Sequence, residues 1–260
     1  MSKNLLITGA SSGIGKAVAL EFAKRDGSKN HLILVARRRD KLETIAEAAR
    51  QLGATVTIKV ADLGRTQEIA KLFEEIDAKQ IKLDLVFNNA GLGFVKKAWE
   101  MTDAETEAII DVNVKGMILV AQKAAARMKE QSNGHIIFVS SVAGYTLFPN
   151  WSVYCASKWG ITAYANVLRQ EIAPFGVKIS TVHPGPVKTE FFDKDKADVD
   201  MSKSEKTMPA ILASEVANDV YNLAYTNKTR IFNPPKLVLF AEAFRLFPKM
   251  MQKMLSGLTN

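Results

Sequence analysis

Along the chain, short apolar runs closed by turn residues alternate with longer stretches whose apolar positions recur every three or four residues. The runs predict strands at Leu5–Thr8, His31–Ala36, Thr55–Val60, Leu85–Asn88, His135–Ser140 and Lys178–Val182. Between them, spacings such as Ile109, Val112, Gly116, Val120 and Ala124 predict helices. Strands and helices alternating in this way imply an α/β chain with a parallel sheet covered on both faces. Ligands of such sheets sit beyond the carboxyl ends of the strands, so chemistry-bearing residues are sought there. The pattern fails after Thr189, where Phe191-Phe192 precede a charged stretch, and again in the basic, Met-rich C-terminus. Segment 190–212 is expected to form a substrate lid.

Composition narrows this picture. A chain of 260 residues with 47% hydrophobic content can bury one large core, so a single domain over 1–260 is expected. The one cysteine, Cys155, excludes an internal disulfide and has no base or cation motif of its own, which makes it a small packing residue. His31, His135 and His183 are too scattered for a zinc site, and no metal is expected. The start, Met1-Ser-Lys-Asn, enters Leu5–Ile7 directly, too short for a signal-peptide core. No apolar run approaches the roughly eighteen residues needed to span a bilayer. These features predict a soluble cytoplasmic protein, with peripheral membrane contact left to the terminal segment. Of the net charge of +8, the stretch from Asn227 onward carries +5, from Lys228, Arg230, Lys236, Arg245, Lys249 and Lys253 against Glu242. No nucleic-acid motif accompanies it, so no nucleic-acid partner is expected.

The first strand runs into Thr8-Gly9-Ala10-Ser11-Ser12-Gly13-Ile14-Gly15 and then an amphipathic segment. Glycines let the backbone turn tightly against a pyrophosphate, and a helix start offers it free N–H groups and a positive dipole end. The second strand ends at Ala36-Arg37-Arg38-Arg39, where an NAD site would usually offer an acid to the ribose. A guanidinium can pair bidentately with a 2′-phosphate, so Arg37 points to NADP, with NADPH preferred over NADH. A solvated basic cap on the next helix accounts for Arg38 or Arg39 better than for Arg37. Asp62-Leu63 follow the third strand and Asn88-Asn89-Ala90-Gly91 the fourth; on physical grounds alone Asp62 fits a helix cap and the asparagines a turn.

Ser140-Ser141 follow the fifth strand, and Tyr154-Cys155-Ala156-Ser157-Lys158 come thirteen residues after Ser141. On a helix, Tyr154 and Lys158 share a face, close enough for the ammonium to favour phenolate. A tyrosine with an unperturbed pKa of about 10 needs such help to act as an acid/base near neutrality.

The order Thr-Gly-x-x-x-Gly-x-Gly, Asn-Asn-Ala-Gly, Ser141 and Tyr-x-x-x-Lys, followed by His183-Pro184-Gly185-Pro186-Val187-Lys188-Thr189, resembles the short-chain dehydrogenase/reductase family over about Leu5 to Thr189. The resemblance implies a doubly wound Rossmann fold with a sheet of about seven strands. It implies Tyr154 as acid/base, Ser141 bonded to the substrate oxygen, and Lys158 on the nicotinamide ribose lowering the tyrosine pKa. Asn113 is implied to hold a water linking Lys158 to solvent, although a satisfied core asparagine is the plain alternative. Cofactor contacts are implied at Gly9, Ser11, Ser12, Gly13, Ile14, Gly15, Asp62, Leu63, Asn89, Ala90, Gly91, Pro184, Gly185, Val187 and Thr189. His183 reads as a strand-closing residue satisfying local backbone rather than as a second acid/base.

The chain departs from the family at its end. Where many members close with a strand and an Asp-Gly-Gly-like turn, Arg230-Ile-Phe-Asn-Pro234-Pro235 is read as lacking it. The segment 236–260 then carries Leu237, Val238, Phe240, Phe244 and Phe247, a break at Pro248 that opens a second helix, and Met250, Met251, Met254, Leu255 and Leu258. This ending resembles the hydroxysteroid and retinol dehydrogenase branch. Residues 236–258 either lie on anionic lipid or wall a greasy substrate, or they pack against their own subunit or a partner. A homodimer or homotetramer is implied through the helices bearing Asn113 and Tyr154. The expected function is NADP(H)-dependent hydride transfer to a small-molecule carbonyl, reversible with an alcohol; the other reading is a non-catalytic NADP-binding sensor or scaffold.

Overall fold

The computed structural model describes residues 3–191 and 210–259. Its strands are β1 (Lys3–Thr8), β2 (Asn30–Ala36), β3 (Thr55–Val60), β4 (Leu85–Asn88), β5 (Gly134–Val139), β6 (Val177–Pro184), β7 (Val187–Lys188), β8 (Ile211–Leu212) and β9 (Arg230–Asn233). Seven of them form one parallel sheet in the order β3-β2-β1-β4-β5-β6-β9. The helices are α1 (Gly13–Asp26), α2 (Arg39–Gln51), α3 (Thr66–Ala78), α4 (Asp103–Ile110), α5 (Met117–Gln131), α6 (Ser152–Ile172), α7 (Ala213–Ala224), α8 (Leu237–Leu246) and α9 (Pro248–Thr259).

Period-two alternation explains how apolar strands serve two cores. Leu6, Ile33, Val35, Val86, Ile136 and Phe138 point to one face, where they meet α3, α5 and α6 through residues such as Phe73, Val120 and Ile161. Their neighbours Leu5, Ile7, Leu32, Leu34, Phe87 and Ile137 point to the other and meet α1, α2 and α7 through Phe22, Leu42 and Val220. A sheet buried on both sides must be apolar at nearly every position, which is why the strand runs are so plain in the sequence. The strand order reverses between β1 and β4, and the crevice at that reversal is where a dinucleotide lies in doubly wound sheets.

Two expectations change. The end of the chain does contain a closing strand: β9 pairs with β6 from Thr181↔Arg230 to Pro184↔Asn233, so Arg230-Ile-Phe-Asn is no departure at that point. The helix expected through Ile109 and Ala124 is interrupted by a π-helical turn, Asp111–Gly116, between α4 and α5. Of the expected lid, residues 192–209, Phe192 included, lie outside the described residues; β7 and β8, which flank them, pair in parallel.

α8 settles one face of the terminal segment. Leu237 and Ala241 pack with Val142 and Phe232, and Phe244 packs with Met251 of α9. The opposite face leaves Leu239, Leu246, Phe247 and Met250 exposed. The side chains of Met254, Leu255 and Leu258 lie outside the described residues.

Candidate active site

The turn after β1 keeps its shape because of its glycines. Gly9 (φ +65°) and Gly13 (φ +53°) lie in the left-handed region. A Cβ at Gly15 would stand 2.3 Å from the Gly9 carbonyl oxygen, so only glycine lets α1 begin this close beneath the turn. Ser12, the N-cap of α1, makes no side-chain bond to the helix, which leaves its first N–H groups without a side-chain cap. Thr8 Oγ1 accepts the N–H groups of Asn89 (2.8 Å) and Ala90 (3.0 Å), and Asn89 Nδ2 donates to the Thr8 carbonyl (2.9 Å), fastening the ends of β1 and β4 together. The Asp62 carboxylate accepts the Gly64 N–H at 3.0 Å, the local turn that its residue type favours.

At the end of β2 both Arg37 and Arg38 line the cleft, and the second is the better placed. Arg38 Nη2 donates to Ser12 Oγ at 2.8 Å and to Ser11 Oγ at 3.1 Å, so its guanidinium reaches over the glycine turn.

The reacting half is built by β5, α6 and the loop after β6. Tyr154 is buried, its phenol hydrogen-bonded to Ser141 and its ring set edge-on to Trp151 (5.5 Å between centroids) and Phe191 (5.9 Å). Ser141 Oγ also accepts the Ala143 N–H at 3.1 Å. Lys158 Nζ donates to the Val139 carbonyl at 3.1 Å and lies 5.6 Å from the Tyr154 ring centroid. Burial pushes Lys158 down to about 8 and pushes Tyr154 up. Only the Ser141 hydrogen bond opposes the burial of Tyr154, so the lowering expected from its lysine is absent here and Tyr154 is held as the neutral phenol.

Asn113, fully buried in the π-helical turn, is pinned by its side chain: Oδ1 accepts the Leu92 N–H (2.8 Å), and Nδ2 donates to the Leu92 carbonyl (2.8 Å) and to Ser157 Oγ (3.2 Å). Ser157 Oγ in turn donates to the Tyr154 carbonyl at 2.7 Å. A π-turn thus ties the loop after β4 to the catalytic helix, a setting in which such turns recur. Ser140 donates to the Lys158 carbonyl at 3.2 Å and pairs with Thr162, steadying the same helix from β5. His183 is fully buried, with Nδ1 against the Ser141 carbonyl (3.2 Å) and Nε2 against Thr181 Oγ1 (2.9 Å). A carbonyl only accepts, so the ring proton sits on Nδ1. Burial pushes its pKa down to about 3, so it stays neutral and supports Ser141.

One cleft of about 300 Å³ gathers Gly9, Ser11, Ser12, Gly13, Ile14, Arg37, Asp62, Leu63, Asn89, Ala90, Gly91, Ser141, Tyr154, Lys158, Pro184, Gly185, Val187 and Thr189. Gly15 and Asn113 lie beneath it as supports. Phe191, expected in the lid, also lines the cleft, as does Arg38, which was read as a helix cap; Leu92 and the braces Ser140 and Ser157 were not given roles from the sequence, and Ser157 carried only the weak signal of sitting one residue before the lysine. The cleft fits a nicotinamide dinucleotide: its floor is glycine where a chain must approach, and a Cβ at Gly91 would stand 3.2 Å from Asn113 Oδ1 and 3.6 Å from Lys158 Nζ.

The chain as a whole is similar to known proteins. The family model described as short chain dehydrogenase matches residues 3–200. An uncharacterized oxidoreductase of Listeria monocytogenes is 37% identical over 194 residues, covering 74% of this chain and 77% of its own. A sepiapterin reductase of Chlorobaculum tepidum is 34% identical over 200 residues, 75% of this chain and 81% of its own. Among solved structures, a short-chain dehydrogenase of Sphingobium yanoikuyae in complex with NADPH superposes with a TM-score of 0.82 at 25% identity, covering 96% of this chain and 95% of its own.

Proposed function

The chain belongs to the short-chain dehydrogenase/reductase family, and we propose that within it this protein transfers hydride between NADP(H) and the carbonyl or secondary alcohol of an apolar or acyl-like small molecule, working chiefly as a carbonyl reductase. The observation that carries this reading is the buried Tyr154 phenol, bonded to Ser141 with Lys158 on the same helix face, at the end of a cleft that begins at the glycine turn. Arg38 and Arg37 support NADP over NAD, since a 2′-phosphate is the coenzyme group that calls for a cation at the end of β2. Trp151, Phe191 and Phe148, which packs between Tyr154 and α8, support an apolar substrate.

The coenzyme, when bound, supplies or accepts the hydride. Tyr154 donates its phenolic proton to the substrate oxygen as charge develops there, and Ser141 donates a second hydrogen bond to that oxygen. Lys158, protonated below about pH 8, steadies the phenolate left behind and holds the nicotinamide ribose. The glycine turn and the first N–H groups of α1 would hold the pyrophosphate, and Arg38 the 2′-phosphate. Two exposed apolar faces support the expected contacts. Trp159 and Val167 on α6 suit self-association, and Leu239, Phe247 and Met250 beside Arg245 and Lys249 suit contact with an anionic lipid surface.

The test follows NADPH absorbance while the purified protein meets a panel of aldehydes, ketones and quinones. Turnover is expected, with Tyr154→Phe reducing it roughly 100- to 10,000-fold while NADPH still binds. Turnover surviving in that variant overturns the mechanism. A wild type inert to the whole panel despite tight NADPH binding selects the sensor reading.

A further inference from the structure

The cations at the end of β2 already hold a carboxylate. Glu190, immediately after Thr189, lies with Oε2 at 3.2 Å from Arg38 Nη1 and 2.8 Å from Lys41 Nζ in the first turns of α2. The far side of the same guanidinium grips Ser11 and Ser12 of the glycine turn, so Arg38 bridges that turn and Glu190. Lys41 and Arg38 together hold the Glu190 carboxyl below its usual range. These pairs span 152 and 149 residues of chain, so they are made by the fold and not by helical proximity.

We infer that Glu190 is a built-in competitor for the 2′-phosphate of the coenzyme, and that it sets how strongly this protein discriminates NADP(H) from NAD(H). The inference rests on the reading that Arg38 receives that phosphate. A phosphate monoester brings close to two negative charges near neutrality. It and Glu190 cannot share Arg38 and Lys41 without like-charge repulsion, so the phosphate displaces the carboxylate. A coenzyme with two free ribose hydroxyls has no such anion to seat and leaves the Glu190 pairs standing. Glu190 therefore weakens the phosphorylated coenzyme selectively.

Glu190→Gln tests this, because it keeps the shape of the side chain and removes its charge. Dissociation constants are measured at low salt for NADPH, NADH, adenosine 2′,5′-bisphosphate and adenosine 5′-monophosphate. Glu100→Gln, which removes one charge from the surface pair with Lys97, serves as the control. Glu190→Gln is expected to tighten NADPH and the bisphosphate roughly three- to tenfold, the range set by two exposed ion pairs, and to leave NADH and the monophosphate within about twofold. The gain should shrink at high salt. Unchanged bisphosphate affinity, an equal gain in Glu100→Gln, or weakened NADH, which would assign Glu190 to the ribose hydroxyls, each overturns the inference. A wild type that prefers NADH while Glu190→Gln still tightens the bisphosphate removes the NADP preference and leaves this inference standing.

Discussion

At the scale of single residues, the protonation states follow from burial more than from pairing. Lys158 is almost wholly buried and pushed down to about 8, whereas Tyr154 is pushed up. In the free protein near neutrality the pair is ammonium and phenol, the states that suit protonating a carbonyl oxygen. The value of kcat/KM for reduction, which reports groups of the free enzyme, should hold up to about pH 8 and decline above it as Lys158 loses its proton. A profile flat to pH 10 would assign Lys158 no part in the step. Tyr154, Lys158 and Ser141 were legible because their spacing and order are fixed by the chemistry they share. The choice between Arg37 and Arg38 was not, because both border the cleft and only the fold brings Ser11 and Ser12 of the glycine turn within reach of the Arg38 guanidinium. Arg38→Ala is expected to weaken NADPH roughly tenfold and NADH hardly at all, the loss of a charge-assisted contact. Arg37→Ala should do less, and coenzyme titrations of the two variants check the order.

At the scale of elements, six strands were legible to within two residues: the central ones because burial on both faces makes most of their positions apolar, and the more exposed edge strand β3 through its β-branched run Thr-Val-Thr-Ile-Lys-Val. The seventh, β9, was missed because four residues ending at two prolines carry no pattern, and only the free edge of β6 gives them a partner. The π-turn was missed for a different reason. The spacing of Ile109, Val112, Gly116 and Val120 suits a plain helix as well, and what unwinds the segment is tertiary: the Leu92 backbone gripping Asn113, and the Leu63 carbonyl pressed against Gly116. A Cβ at Gly116 would stand 2.1 Å from that carbonyl oxygen. Gly116→Ala must therefore push Leu63 and the π-turn apart, with an expected loss of ~1–3 kcal/mol in denaturant unfolding. In α8, Phe244→Ala should cost ~3–5 kcal/mol by emptying the contact with Met251, whereas Leu239→Ser on the exposed face should leave stability within ~0.5 kcal/mol. Equal effects at the two positions would contradict the packing of α8.

At the scale of the whole molecule, the double-sided burial that makes the strands legible also traps polar rings in the sheet. His135 of β5 and His183 of β6 are both buried, and desolvation pushes them down to about 4 and about 3. In the unfolded chain each regains a pKa near 6.5. Below that pH the unfolded state therefore binds two protons that the folded state refuses, and stability falls as pH falls. The contribution is fully present above about pH 7 and is lost progressively toward the folded values. Each histidine removes up to ~1.4 kcal/mol per pH unit, so the two together should take ~3 kcal/mol between pH 6.5 and 5. The half-buried His31, also pushed down by burial and by Lys79, adds to the same slope. Carboxylates contribute little in this window because most remain ionised in both states. Urea unfolding at pH 7, 6 and 5 measures the slope, and His135→Gln, which keeps a polar group beside Ser180, should remove close to half of it. His183 is the less suitable site for that substitution, since its Nδ1 proton supports the Ser141 carbonyl and a change there would move activity together with stability. A stability independent of pH across this range would mean that the rings gain their protons inside the fold, which the apolar faces around β5 and β6 oppose.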